Sequence, residues 1–176
     1  MEDVLDFWFR EEHRPFWFAQ DASFDAQIRR RFEGLLQEAL EGQHEDWAQT
    51  PRGRLALILV LDQFPRNLYR HTARAFSGDE RARRLVLDGL GSEGDLSVDE
   101  RGFFYLPLEH AEDRELQALS VRLFEELGHA NYLDYARQHQ AIIDRFGRFP
   151  HRNECLGRES TPEEVEFLAG PDSSFW

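Results

Sequence analysis

The chain has 176 residues, 34 acids against 21 cations, a formal charge of −13 and a single cysteine. That length supplies the core of one ordinary domain, no internal disulfide can form, and the longest apolar run, Leu55 to Leu61, is too short to cross a bilayer. So acidic a chain predicts no nucleic-acid and no membrane partner, and the lone Cys155 suits a reducing, cytoplasmic setting.

Apolar residues recur at three- and four-residue spacing and no strand-like alternation survives, so an all-α fold is predicted: one domain over 1–170 with a tail at 171–176. The first helix is expected over Val4 to Arg10, where Phe7, Trp8 and Phe9 crowd one turn. After Pro15 and the ring-rich loop Phe16-Trp17-Phe18, a helix over Asp21 to Glu41 carries Phe24, Ile28, Phe32, Leu36 and Leu40 on one stripe and stops at Gly42. Thr50-Pro51 starts a helix to Gln63 that is apolar all round and therefore central, with Pro65 expected to end or kink it. Ser77-Gly78-Asp79-Glu80 and Ser97-Val98-Asp99-Glu100 read as capping boxes, starting helices over Asp79 to Leu90 and Val98 to Tyr105. Pro107 is expected to open a long helix to Leu127, and another is predicted over Tyr132 to Phe146. Thr161-Pro162-Glu163-Glu164 caps a last short helix to Ala169, and the tail ends on Trp176, which either packs back or engages a neighbour.

Every cation is Arg, and the Arg residues are segregated. Residues 52–74 carry five Arg and one acid, residues 145–158 four Arg and one acid, and the remainder sums to −20. An echo runs through these segments, Asp62-Gln63-Phe64-Pro65-Arg66-Asn67 and Asp144-Arg145-Phe146-Gly147-Arg148-Phe149-Pro150-His151-Arg152-Asn153, each after an apolar helical stretch. If the two meet, Arg66, Asn67, Arg70, Arg148, Arg152 and Asn153 form a donor-rich pocket for a small anion or an acidic peptide end. The same guanidiniums would equally serve as structural locks on Asp62, Glu109, Glu112, Asp113 or Asp144.

His110 and Asp113 fall on one face of the helix expected from Pro107, and His139 and His151 sit near Asp144 and Arg148, so these five are the candidates for acid–base work. No HExxH or Cys/His ligand spacing is present, so no metal centre and no cofactor is expected. GxSxG, P-loop and GxGxxG motifs are also missing, and Cys155 reads as an ordinary half-buried thiol. The amino-terminal rings, if exposed, would favour a homodimer.

Four segments together, Val4-Leu5-Asp6-Phe7-Trp8-Phe9, Leu61-Asp62-Gln63-Phe64-Pro65-Arg66-Asn67, Phe104-Tyr105-Leu106-Pro107-Leu108-Glu109-His110-Ala111-Glu112-Asp113 and Arg145-Phe146-Gly147-Arg148-Phe149-Pro150-His151-Arg152-Asn153, resemble the bacterial DUF924 family. The resemblance implies a tetratricopeptide-like superhelix of antiparallel hairpins with seven or eight helices, and it implies no activity. Function is thus expected to be a binding module with an Arg-lined anion pocket. The alternatives are a small hydrolase-like enzyme using the same pocket, with or without a metal ion, and a helical scaffold held by Arg–carboxylate locks.

Overall fold

The computed structural model describes residues 1–170 and Ser173, and within them the chain is all-α. Nine α-helices are present among the described residues: α1 (Glu2–Trp8), α2 (Ala22–Leu40), α3 (Pro51–Ile58), α4 (Phe64–Leu68), α5 (Asp79–Gly89), α6 (Val98–Glu109), α7 (Arg114–Leu127), α8 (Ala130–Phe146) and α9 (Pro162–Leu168). Consecutive helices α6, α7 and α8 pack on one another, and α3 touches α1, α5 and α6. The expectation for Trp176 lies outside the described residues.

The centre of the molecule is the run Leu55 to Leu61, fully buried, as an element apolar on every side must be. Around it the rings interlock: Trp8 meets Phe103 edge-on at 5.4 Å, Phe7 meets Phe32 at 5.2 Å, and Phe32 stacks on Phe64 at 5.1 Å. Phe7 and Trp8, considered above as a dimer patch, are therefore core, and Phe18 is the amino-terminal ring left in solvent.

Pro65 does not end the central helix. Residues Leu59–Gln63 form a π-helical turn, closed by the Phe64 N–H donating to the Leu59 carbonyl, and α4 continues beyond it. Widening the turn carries the chain past a residue that has no N–H to give. The carbonyl of Leu61, which Pro65 cannot serve, lies so near Gly78 that an added Cβ there would be 2.1 Å away. This close approach requires glycine, and it replaces the expected capping box: Gly78 is the N-cap of α5, and the Ser77 hydroxyl donates to the Arg74 carbonyl instead. The boxes at Ser97 and Thr161 form as expected.

The larger correction is at Pro107. Helix α6 runs through it to Glu109, because burial of Phe103, Phe104, Leu106 and Leu108 outweighs one lost backbone bond. The break falls at residues 110–113, where the Asp113 carboxylate accepts from the N–H groups of Glu115 and Leu116 and caps α7. His110 and Asp113 thus belong to the ends of different helices, and do not share a helix face.

Candidate functional site

The π turn places two polar side chains, Asp62 and Gln63, in the otherwise apolar centre, both buried. Such a pair needs partners. The Asp62 carboxylate accepts from Gln63 Nε2 at 2.5 Å and pairs with Arg66 Nη1 at 3.2 Å; His110 Nδ1 lies 2.8 Å from its Oδ1. Burial alone would raise the Asp62 carboxyl. The charge of Arg66 and the hydrogen bonds from His110 and Gln63 override it, and hold Asp62 well below the usual carboxylate range. Asp62 therefore stays ionised and fixes His110 with its proton on Nδ1, which leaves Nε2 as the basic nitrogen. Burial, reinforced by Arg66, lowers the His110 pKa against the opposing pull of Asp62, so the ring is neutral at neutral pH.

His110 lines a cavity of about 330 Å³ together with Gln63, Arg66, Asn67 and Arg70 from the π turn and the end of α4, and with Leu106 and Glu109 from α6. Helix α8 adds Tyr132, Tyr135, Gln138 and His139, and the loop after α1 adds Trp17, Phe18 and Ala19. The loop is pinned by Trp17 Nε1 donating to the Trp8 carbonyl at 2.8 Å. Gly102 lets Tyr132 approach α6, since a Cβ there would meet the Tyr132 ring at 2.7 Å.

Behind His110 lies a second His–carboxyl contact, Glu109 Oε1 to His139 Nδ1 at 3.3 Å. It is not an ion pair at neutral pH. Burial, with the Asp62 charge adding to it, pushes the Glu109 carboxyl up to about 8. Burial, then the nearby His110, holds His139 well below the usual imidazole range, and its Nδ1 has a shorter contact, 2.8 Å, with the Tyr135 carbonyl. Glu109 Oε2 is buried without a hydrogen-bond partner among the described residues.

The Arg side chains divide by place. Arg66 and Arg70 line the cavity while pairing on their other side, Arg66 with Asp79 at 2.7 Å and Arg70 with Asp25 at 2.9 Å; Asn67 also donates to Asp25, at 2.8 Å. Arg148, Arg152 and Asn153 are not among the cavity-lining residues. Arg148 grips both oxygens of Glu164, which also accepts from Asn153 Nδ2 and the Thr161 N–H and is held down at about 2, mainly by the Arg148 hydrogen bond. Arg158 clamps Glu112 in the same two-point way, at 2.7 and 2.9 Å. Arg152 is buried, donates to the His110 carbonyl at 3.1 Å, and has its pKa lowered to about 10 by burial and by Arg66. The two echoing segments do meet, through Arg66 and Arg152, which both reach Asp79 and both lie over the Phe76 ring.

Of the remaining candidates, His139 reaches the cavity and three others do not. Asp113 is the α7 cap; Asp144 is exposed, its carbonyl accepting from Arg114; His151 sits in the turn Pro150–Arg152 with its pKa lowered to about 3 by burial and Arg152. Cys155 donates to the Arg152 carbonyl and burial raises its thiol pKa, the opposite of a nucleophile's tuning. No group of three or more His, Cys, Asp or Glu among the described residues is arranged to hold a metal ion. The carboxylate that orients His110 is Asp62, 48 residues away in sequence. The sequence signal for it was the polar Asp62-Gln63 pair closing an apolar run.

Among the described residues the chain is all-α, with a cavity lined by His110, whose ring is held from behind by Asp62. The model of the family described as bacterial protein of unknown function, DUF924, matches residues 4–172, and the chain belongs to that family. It is similar to the solved structure of a protein of unknown function, ATU0120, from Agrobacterium tumefaciens, at 41% identity and a TM-score of 0.90 over 95% of each chain. No match was found among curated proteins. No helix among the described residues is long and apolar enough to cross a membrane.

Proposed function

We propose that the cavity is an acid–base site for a small molecule bearing an anionic group, with His110 as general base, Asp62 as its orienting carboxylate, and Arg66 and Arg70 as the donors that hold the substrate. The observation that carries the reading is the 2.8 Å contact with buried, ionised Asp62 made by Nδ1 of His110, which lines a cavity together with two guanidiniums. The lowered His110 pKa keeps the ring in its basic form at neutral pH, and Asp62 stabilises the imidazolium once Nε2 has taken a proton. Among the described residues the lining contains no Ser, Thr or Cys, so the chemistry it supports is activation of water, or removal of a proton from substrate, without a covalent acyl intermediate.

Two measurements test this. Nitrogen-resolved NMR of His110 at pH 7 is expected to show the Nδ1–H tautomer; an Nε2–H tautomer or a protonated ring overturns the base assignment. A turnover screen over esters and amides of small anionic molecules is expected to find activity that falls about 10²- to 10⁴-fold in His110→Asn. Activity unchanged by that substitution refutes the role.

The second reading is a binding module without turnover, favoured by the lining's abundance of donors and lack of a nucleophile. In that case His110→Asn keeps ligand affinity and no substrate turns over. We also read the succession of packed helices α6, α7 and α8 as part of a tetratricopeptide-like superhelix, and place the protein in the cytoplasm on the strength of its single cysteine.

A further inference from the structure

We infer that the molecule this cavity takes is a flat aromatic compound carrying one carboxylate, a proposal that rests on the reading of the cavity as a small-molecule site and names its ligand class. The lining divides into two chemistries. The π turn and α4 bring N–H donors, whereas the loop after α1 and helix α8 bring rings: Trp17, Phe18, Tyr132 and Tyr135. Phe18 is 63% exposed and Tyr135 52% exposed, a costly placement for large rings, and both belong to the cavity. Phe18 stacks one face on Phe103 at 5.7 Å and meets the Tyr132 ring edge-on, which fixes it in place, and its exposed remainder with that of Tyr135 can take another ring, an arrangement that discriminates an aromatic body from a saturated one of the same size.

Charge decides the anionic group. Arg66, Arg70 and Arg152 are matched by Asp25, Asp62 and Asp79, while Glu109, His110 and His139 are neutral at neutral pH. A site balanced in this way has no surplus field for a phosphate dianion, which asks for net positive charge. It does have directed donors. Arg70 uses Nε and Nη2 on Asp25 and the Ala19 carbonyl, and its Nη1 makes no hydrogen bond among the described residues. That N–H₂ group, with Arg66 near by, suits a single carboxylate. At about 330 Å³ the cavity is at the small end for ligand sites, room for a one- or two-ring molecule.

The test is calorimetric titration of the full chain with four matched probes: naphthoate, naphthyl phosphate, naphthamide and the saturated decalin carboxylate. Naphthoate is expected to bind at least about tenfold more tightly than each of the others, one charge-assisted bond and one ring contact being at stake in the comparisons. Phe18→Leu, at an exposed position, is expected to weaken naphthoate roughly 3- to 10-fold and leave decalin carboxylate unchanged. Arg70→Met is expected to weaken naphthoate about 10- to 100-fold and leave naphthamide unchanged. Should Arg70→Met fail to fold without its Asp25 partner, the Phe18→Leu result and the probe ranking decide. Tighter binding of the phosphate, equal binding of the saturated acid, or no binding of naphthoate overturns the ligand class. None of these readouts needs turnover, so naphthoate binding with His110 in the wrong tautomer would uphold the ligand class while the base assignment fell, and the reverse result would do the opposite.

Discussion

Replacing Glu109 with Gln should make the protein more stable at high pH and less stable at low pH. Glu109 is 3% exposed, and its carboxyl is raised from an ordinary 4.5 to about 8, by burial first and by Asp62 second. Because the folded pKa lies above the unfolded one, folding between pH 4.5 and 8 takes up a proton, and native stability falls by about 1.4 kcal/mol per pH unit across that window. The whole window is worth roughly 4 to 5 kcal/mol, a large share of a typical domain's 5–15 kcal/mol. Below pH 4.5 the penalty vanishes, and above 8 it is constant. Gln removes the titration, and its amide N–H₂ takes the place of an oxygen that has no partner, costing about 1 to 3 kcal/mol at every pH. The two stability curves are therefore expected to cross near pH 6, with Gln ahead by about 2 to 4 kcal/mol at pH 8. Urea unfolding followed by circular dichroism from pH 5 to 8 at constant ionic strength reads this directly. A difference between the two proteins that does not change with pH would refute the claim that Glu109 is buried as a neutral acid.

Gly78→Ala drives a methyl into the Leu61 carbonyl and should cost roughly 2 to 3 kcal/mol, seen as a lower urea midpoint with an unchanged slope. Asp62→Ala leaves Arg66 and His110 without their shared buried partner, and a loss of about 3 to 5 kcal/mol is expected in the same assay, whereas a neutral outcome would show the dyad to be solvated. Glu164 has a depressed pKa, so the stability it contributes through Arg148 is complete above pH 4.5 and is lost as pH falls toward 2. The melting-temperature gap between wild type and Glu164→Gln should accordingly be widest at neutral pH and close in acid; a gap independent of pH would contradict the lock.

The helices at Asp21, Thr50, Ser97 and Thr161 were legible because each begins with a side chain that satisfies its own first turn, a local signal. The break after Pro107 was not, since whether a proline ends a helix depends on the burial of Phe103, Phe104 and Leu108 against distant elements. Half of the candidate site could be read: Arg66, Asn67, Arg70, His110 and His139 all reach the cavity. Asp62 was visible as a motif residue, but its assignment to His110 depends on how two helices dock. Glu164 illustrates a different obstacle. As the last residue of a capping box it already had a local role, and the same carboxylate also takes Arg148 and Asn153, so the pair that looked like an anion grip is held by a residue whose job seemed done.

The π turn at Leu59–Gln63 is in effect one residue too many for a regular helix, and the site is indexed to that surplus. Upstream, α3 is anchored in the core by Leu55, Leu57 and Ile58; downstream come Asn67 and Arg70, which must meet Asp25. Closing that turn as a regular α-helix with every residue kept would turn everything after it by about 100°. The chain would keep its hydrophobic pattern while Asp62 swung away from His110, and Asn67 and Arg70 from Asp25. In this chain the width of that turn, as much as the identity of the residues in it, therefore decides which side chains face the cavity.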